Sequence, residues 1–108
     1  MAKTFTIKAL ADGQLPNAAA ALYTVPASTS TIIITITLTN TDSVTRTVNL
    51  YINASGVNRS ICPPNLPMHQ NYKWISPDKY TLEAGDMIQG DASAINVVDY
   101  TISGVEET

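Results

Sequence analysis

The residues of this 108-residue chain best equipped for chemistry lie in one proline-rich stretch, where Cys62 is the sole thiol and His69 the sole imidazole. Together they are the minimum for nucleophilic catalysis, the imidazole taking the thiol proton and the thiolate attacking a carbonyl. Pro63-Pro64-Asn65-Leu66-Pro67 separates them. A free cysteine is more often a small, buried and inert apolar residue. The expectation is therefore a Cys62 that ends a strand, a solvent-facing His69 and no catalytic set. Zinc needs three or four His, Cys or carboxylate ligands, and one His with one Cys does not supply them. Glu83, Asp86, Asp91 and Asp99 could gather at one end of a sandwich as calcium ligands, but no compact Asp-rich loop frames them, and solvated turn acids are the expectation. The five glycines stand singly, without a phosphate-binding loop, so no cofactor is expected.

Recognition chemistry is better represented. Met68, His69, Tyr72 and Trp74 fall within seven residues of one another in the same stretch. Aromatic residues and Met are enriched in interface cores, so these four are the candidate interface. Tyr72 and Trp74 could instead stack on a sugar ring, and Trp74 could equally plug the core.

Strands must position that stretch. Ile32, Ile34, Ile36 and Leu38 alternate with Ile33, Thr35, Thr37 and Thr39, a period of two that predicts a strand with the first row in the core and the mainly Thr row outside. After the turn-forming Asn40-Thr41-Asp42-Ser43 the alternation resumes over 44–53 with Val48, Leu50 and Ile52 on one parity, which predicts a hairpin with the preceding strand. Further strands are expected over 4–9, 20–25, 58–62, 73–75, 80–82, 87–92 and 96–105, with turns at Asp12-Gly13, Ser55-Gly56, Pro77-Asp78 and Ala84-Gly85-Asp86. Residues 17–22 hold four alanines that could make one helical turn, but Pro26 disfavours a helical residue before it. The stretch 62–76 breaks the rhythm and reads as a long loop ending in a short strand. About eight short strands with frequent turns predict one all-β domain over 1–108, an antiparallel two-sheet β-sandwich, with the jelly roll as one form of it.

Composition limits the partners. Apolar residues make up 44% and charged residues 14%, enough for a packed core and too little charge for disorder. A net charge of −3 with six scattered cations offers no footprint for nucleic acid. No apolar run is long enough to span a membrane and no basic amphipathic helix is present. The opening Met1-Ala2-Lys3-Thr4-Phe5-Thr6 lacks the apolar core of a secretory signal, and a single Cys permits no internal disulfide, so synthesis in a reducing cytoplasm is expected.

Several runs resemble small virion proteins of tailed bacteriophages: Ala21-Leu22-Tyr23-Thr24-Val25-Pro26-Ala27, Ile36-Thr37-Leu38-Thr39-Asn40-Thr41, Val48-Asn49-Leu50-Tyr51-Ile52 and Leu82-Glu83-Ala84-Gly85-Asp86. Ile88, Gly90, Ala92-Ser93 and Val98-Asp99-Tyr100 extend the likeness over most of the chain. The resemblance implies a β-sandwich subunit of a virion, made in the host cytoplasm. Capsid decoration proteins and head- or tail-fibre components are the types it implies, often as homotrimers that contact the major capsid protein or another virion protein. The alternative within the same likeness is a fibre module that recognises host carbohydrate.

Overall fold

A computed structural model describes residues 3–108. Ten strands follow one another: β1 (Phe5–Gln14), β2 (Ala20–Thr24), β3 (Ser30–Asn40), β4 (Arg46–Ala54), β5 (Val57–Ser60), β6 (Leu66–Met68), β7 (Lys73–Ile75), β8 (Tyr80–Leu82), β9 (Met87–Ala92) and β10 (Val98–Glu107). The protein is all-β, with two antiparallel sheets and no helix among the described residues. Sheet I has the order β1-β10-β3, with β7 and β8 sharing the far side of β3; sheet II has the order β2-β9-β4, with β5 and β6 sharing the far side of β4. Pairing proceeds inward from both ends of the chain: β1 with β10, β2 with β9, β3 with β7 and β8, and β4 with β5 and β6. The chain is thus one long double ribbon, wound so that β10 also lies against β3 and β9 against β4.

Several expectations change. β3 and β4 form no hairpin; they belong to different sheets, and residues 41–45 arch between them. Both edges of β3 are already occupied, by β10 on one side and by β7 and β8 on the other, so β4 has no edge to join. The 17–22 stretch makes no helical turn, because residues 20–24 are drawn into pairing with β9. β1 runs through the expected Asp12-Gly13 turn to Gln14, where Gly13 pairs with Tyr100. The expected long loop contains an additional strand, β6, whose Pro67 is tolerated because β6 pairs on one side only.

The core row of β3 also changes parity. Ile36 and Leu38 are buried as expected, but Ile32 and Ile34 are 44% and 39% exposed while Thr31 and Ile33 are buried. The cause is a bulge: Ser103 pairs with Thr35 and Gly104 with Ile33, which leaves Ile34 unpaired and sends the preceding residues to the opposite face. On the other side of β10, Leu10 of β1 is skipped in the same way between Ala9 and Ala11. The two bulges flank one level of β10 and crease sheet I there. Only glycine fits at that level of β10, since a Cβ on Gly104 would lie 2.1 Å from the Ile32 carbonyl oxygen.

Between the sheets lies one hydrophobic cluster. Sheet I contributes Ile33, Ile36, Leu38, Leu82, Val98 and Ile102, and sheet II contributes Val48, Leu50, Met68 and Ile88, all buried. Each such side chain adds about 1.5–3 kcal/mol relative to exposure, before conformational entropy is subtracted.

Candidate functional site

The stretch 62–74 is fastened at its middle by Asn40, the last residue of β3. Its buried side-chain amide donates to the carbonyls of Met68 (2.8 Å), Val44 (3.0 Å) and His69 (3.3 Å), and its side-chain oxygen accepts from the Asp42 backbone N–H (2.9 Å). The Asn40 main chain adds two bonds, donating to the Tyr72 carbonyl and accepting from the Asn71 N–H, both 3.0 Å. Six hydrogen bonds therefore converge on one residue at the corner where the chain passes from one sheet to the other. Asn65 and Asn71 take left-handed conformations (φ 52° and 63°), which Asn tolerates better than most residues, and so turn the chain on either side of β6.

The four candidate interface residues have different surroundings. Met68 is fully buried and packs in the core cluster, because β6 points it and Leu66 inward opposite Arg46 and Val48. His69 is exposed, with Nδ1 3.3 Å from the Thr45 hydroxyl. Tyr72 is 42% exposed, and its backbone N–H donates to the His69 carbonyl. Trp74 is half-buried against the core, opposite Leu38 on the inner face of sheet I. Only His69 and Tyr72 of the four thus present substantial open surface.

Cys62 is buried, its thiol lies 3.6 Å from the Pro63 carbonyl, and burial pushes its pKa up. No hydrogen bond joins it to His69 among the described residues. The four acids weighed as calcium ligands are dispersed. Asp86 accepts from the Glu83 backbone N–H within a turn, Asp91 in sheet II accepts from Asn49, and Asp99 in sheet I accepts from Gln14.

One ionisable cluster escaped the sequence. The buried Glu106 carboxylate accepts from the Tyr23 hydroxyl (2.7 Å) and the Lys8 ammonium (3.0 Å). Since the phenol has a single proton, Thr31 is the donor in its 2.8 Å bond with Tyr23. Burial, reinforced by the Glu106 carboxylate, holds the Tyr23 pKa up at about 12, although the Thr31 bond opposes it. The Tyr23 and Lys8 bonds hold Glu106 below the ordinary carboxylate range. The network is closed on itself and ties β2 of sheet II to β1, β3 and β10 of sheet I. Nothing in the sequence spacing connects residues 8, 23, 31 and 106; only the end-to-end winding brings them together.

A second feature lies on the outer face of sheet I. Ile7, Val105 and Ile32 are paired across β1, β10 and β3 and share that face, with Ile34 at the bulge and Phe5 one step along β1. Phe5 is 66% and Ile7 89% exposed. Between Ile7 and Ile34 is a shallow depression of about 500 Å³, bordered also by Lys8, Ala9, Ser103, Gly104 and Val105. The alternation of Phe5, Ile7 and Ala9 within the expected strand 4–9 is the signal that could have revealed half of this stripe; the parity change in β3 supplies the rest. The outer face of sheet II is polar instead. Asn53 donates to Asn58 (2.7 Å), Asn58 to Gln89 (3.2 Å) and Asn49 to Asp91 (3.0 Å), and Tyr51 pairs with Gln89 among them.

A scan against protein-family models finds no match, and a search of curated protein sequences finds none. Solved structures do share the fold. The chain superimposes over 99% of its length on 94% of a chain in the acid-stable capsid structure of Helicobacter pylori bacteriophage KHP30, with a TM-score of 0.55 and 13% identity. It also superimposes over 99% of its length on a chain from infectious bursal disease virus strain Gx, with a TM-score of 0.54 and 10% identity. A third similar chain comes from the T13 particle of that virus, with 98% of this chain covered, a TM-score of 0.51 and 6% identity. The present chain spans about a third of the length of these last two, 33% and 30%.

Proposed function

We propose that the chain is a non-enzymatic structural subunit of a virus particle, of the kind that decorates or stabilises a capsid, docking on it as a homo-oligomer. The observation that carries this reading is the inward-pairing double ribbon, which we read as a jelly roll, together with its near end-to-end superposition on a phage capsid-structure chain of similar length. The phage character suggested by the sequence agrees with that neighbour. His69 and Tyr72, on the stretch fastened by Asn40, are the contacts proposed for the capsid. Mass spectrometry of purified virions tests the proposal: the chain is expected at a copy number in fixed ratio to the major capsid protein. Absence from virions, together with no binding of the recombinant chain to capsids, would overturn it.

A second reading, a host-recognition module for glycans, is favoured by Tyr51 set among Asn49, Asn53, Asn58 and Gln89 on the outer face of sheet II. Side-chain amides around an aromatic ring suit sugar hydroxyls and ring faces. Binding across a broad glycan panel that Tyr51→Ala abolishes would establish this reading over the first, and silence across the panel would remove it.

A further inference from the structure

The free edge of β1 is built like a strand that continues into another sheet. Thr4 and Thr108 exchange both of their backbone hydrogen bonds, at 3.0 and 2.9 Å, and the same register runs on through Thr6 with Glu106 and Lys8 with Gly104. In an antiparallel pair, bonded and non-bonded residues alternate, so the even residues spend their N–H and C=O groups on β10. The N–H and C=O of Phe5, Ile7 and Ala9 consequently point away from the sheet.

Devices that usually blunt such an edge, namely proline, outward charge or an early bulge, are absent from residues 5–9. Lys8, the one charge there, is held by Glu106. The bulge comes only at Leu10. All five of these residues are exposed, and the apolar stripe of sheet I stops abruptly at Ile7.

We propose that β1 pairs antiparallel with β1 of a second copy, Ile7 opposite Ile7 across a twofold axis, joining two sheets I into one. In this register Phe5 meets Ala9 of the other copy and Lys8 meets Thr6, so no like charges oppose one another. The odd N–H and C=O groups satisfy each other reciprocally, and the stripe of Ile34, Ile32, Val105 and Ile7 continues into its own image. The remaining sheet edges are shorter. β2 has five residues with an irregularity at Leu22, and the far edges are split into β7 and β8 and into β5 and β6. A threefold ring would require β1 to meet a different edge of matching length, whereas self-pairing is isologous and closes at two.

This inference gives the self-association in the functional proposal a geometry, and its test is separate from particle binding: a dimer that ignores capsids keeps it while sinking the virion reading. The contact is an edge, smaller than the ~800 Å² per partner of a standard interface, so association should respond to dilution. Sedimentation velocity over a concentration series is expected to show monomer and dimer in exchange. Ile7→Lys places like charges on the axis. Ile7→Pro removes an N–H that β10 does not use. Both are expected to raise the dissociation constant at least about tenfold with an unchanged far-UV circular dichroism spectrum. Amide exchange on the unsubstituted chain gives an independent reading. Phe5, Ile7 and Ala9 should be protected at high concentration and lose protection on dilution, while Thr6 and Lys8 stay protected throughout. Should both variants unfold, this alternation decides alone. A chain that remains monomeric up to about 1 mM, an oligomer indifferent to both folded variants, or unprotected odd amides in the concentrated sample would overturn the proposal.

Discussion

Replacing Asn40 by Ala should unfasten the stretch that carries His69 and Tyr72. The substitution keeps the backbone bonds to Asn71 and Tyr72 and removes three short side-chain bonds, to Met68, Val44 and Asp42 at 2.8, 3.0 and 2.9 Å, and a longer one to His69 at 3.3 Å. A typical intramolecular hydrogen bond contributes a net of about 1 kcal/mol, so Asn40→Ala should cost ~3 kcal/mol, and more if the buried Met68 carbonyl finds no water. In a domain of this size that corresponds to a fall in Tm of roughly 12 °C or more. Urea unfolding followed by Trp74 fluorescence measures it, with the slope of the transition held as a check on two-state behaviour. Asn40→Asp separates hydrogen bonding from shape, since it keeps the volume but turns a carboxylate toward the carbonyl oxygens of Met68, Val44 and His69. That environment raises the folded-state pKa of the new carboxyl. The protonated form is then favoured by folding, and the deficit relative to wild type should shrink as pH falls from 7 to about 5. A loss below about 1 kcal/mol for Asn40→Ala, or an Asn40→Asp deficit that ignores pH, would refute the corner-fastening argument.

Gly104→Ala should be among the most damaging single-methyl additions in the chain, because a Cβ 2.1 Å from the Ile32 carbonyl oxygen forces backbone to move; denaturant titration should show a loss of about 3 kcal/mol or more. Glu106 has a depressed folded-state pKa, so its contribution is present above the unfolded carboxylate value and disappears as pH drops through the folded one. Glu106→Gln should flatten that acid limb in a Tm-versus-pH series. Tyr23, held at about 12, contributes stability that is complete below pH 10 and is lost between 10 and about 12. Tyr23→Phe should lack that alkaline limb and be less stable at neutral pH by about 1–2 kcal/mol. Alkylation of native Cys62 at neutral pH should be at least about tenfold slower than in urea, and equal rates would show that the thiol is not enclosed.

Alternation made the strands legible in the sequence but not their partners. β7, β8 and β9 begin and end where residue type and turn chemistry place them, since each is short, bounded by turns and unbulged. The parity of β3 was not legible. Ile32 and Ile34 look identical to Ile36 in a period-two pattern, and the step that turns them outward is imposed by Gly104 on a strand more than sixty positions later. The β3–β4 hairpin failed for a related reason: Asn40-Thr41-Asp42-Ser43 signals a change of direction, and an arch between sheets uses the same residue types as a turn within one. Pro67 concealed β6, because a proline argues against a strand unless the strand is known to lie at an edge. Of the candidate interface, Met68 has the residue type of an anchor, but its side chain is buried in the core, and that inward orientation depends on β6, which the proline conceals. Neither the outward stripe of Phe5 and Ile7 nor the Tyr23–Glu106 network was legible, since both depend on which strands become neighbours.

The inward pairing also sets a timetable for folding. β10, the last of the ten strands to leave the ribosome, is an inner strand of sheet I, with β1 on one side and β3 on the other. Before it arrives, β1 has no partner in sheet I and β3 lacks its longest one, so sheet I cannot close until β10 has emerged. The contacts that complete it join the first strand to the last, the kind of non-local pairing whose loop-closure entropy makes folding slow. During that interval Phe5, Ile7, Ile32 and Ile34 wait together on unfinished strands, and a nascent chain would be most prone to mispairing with its neighbours then.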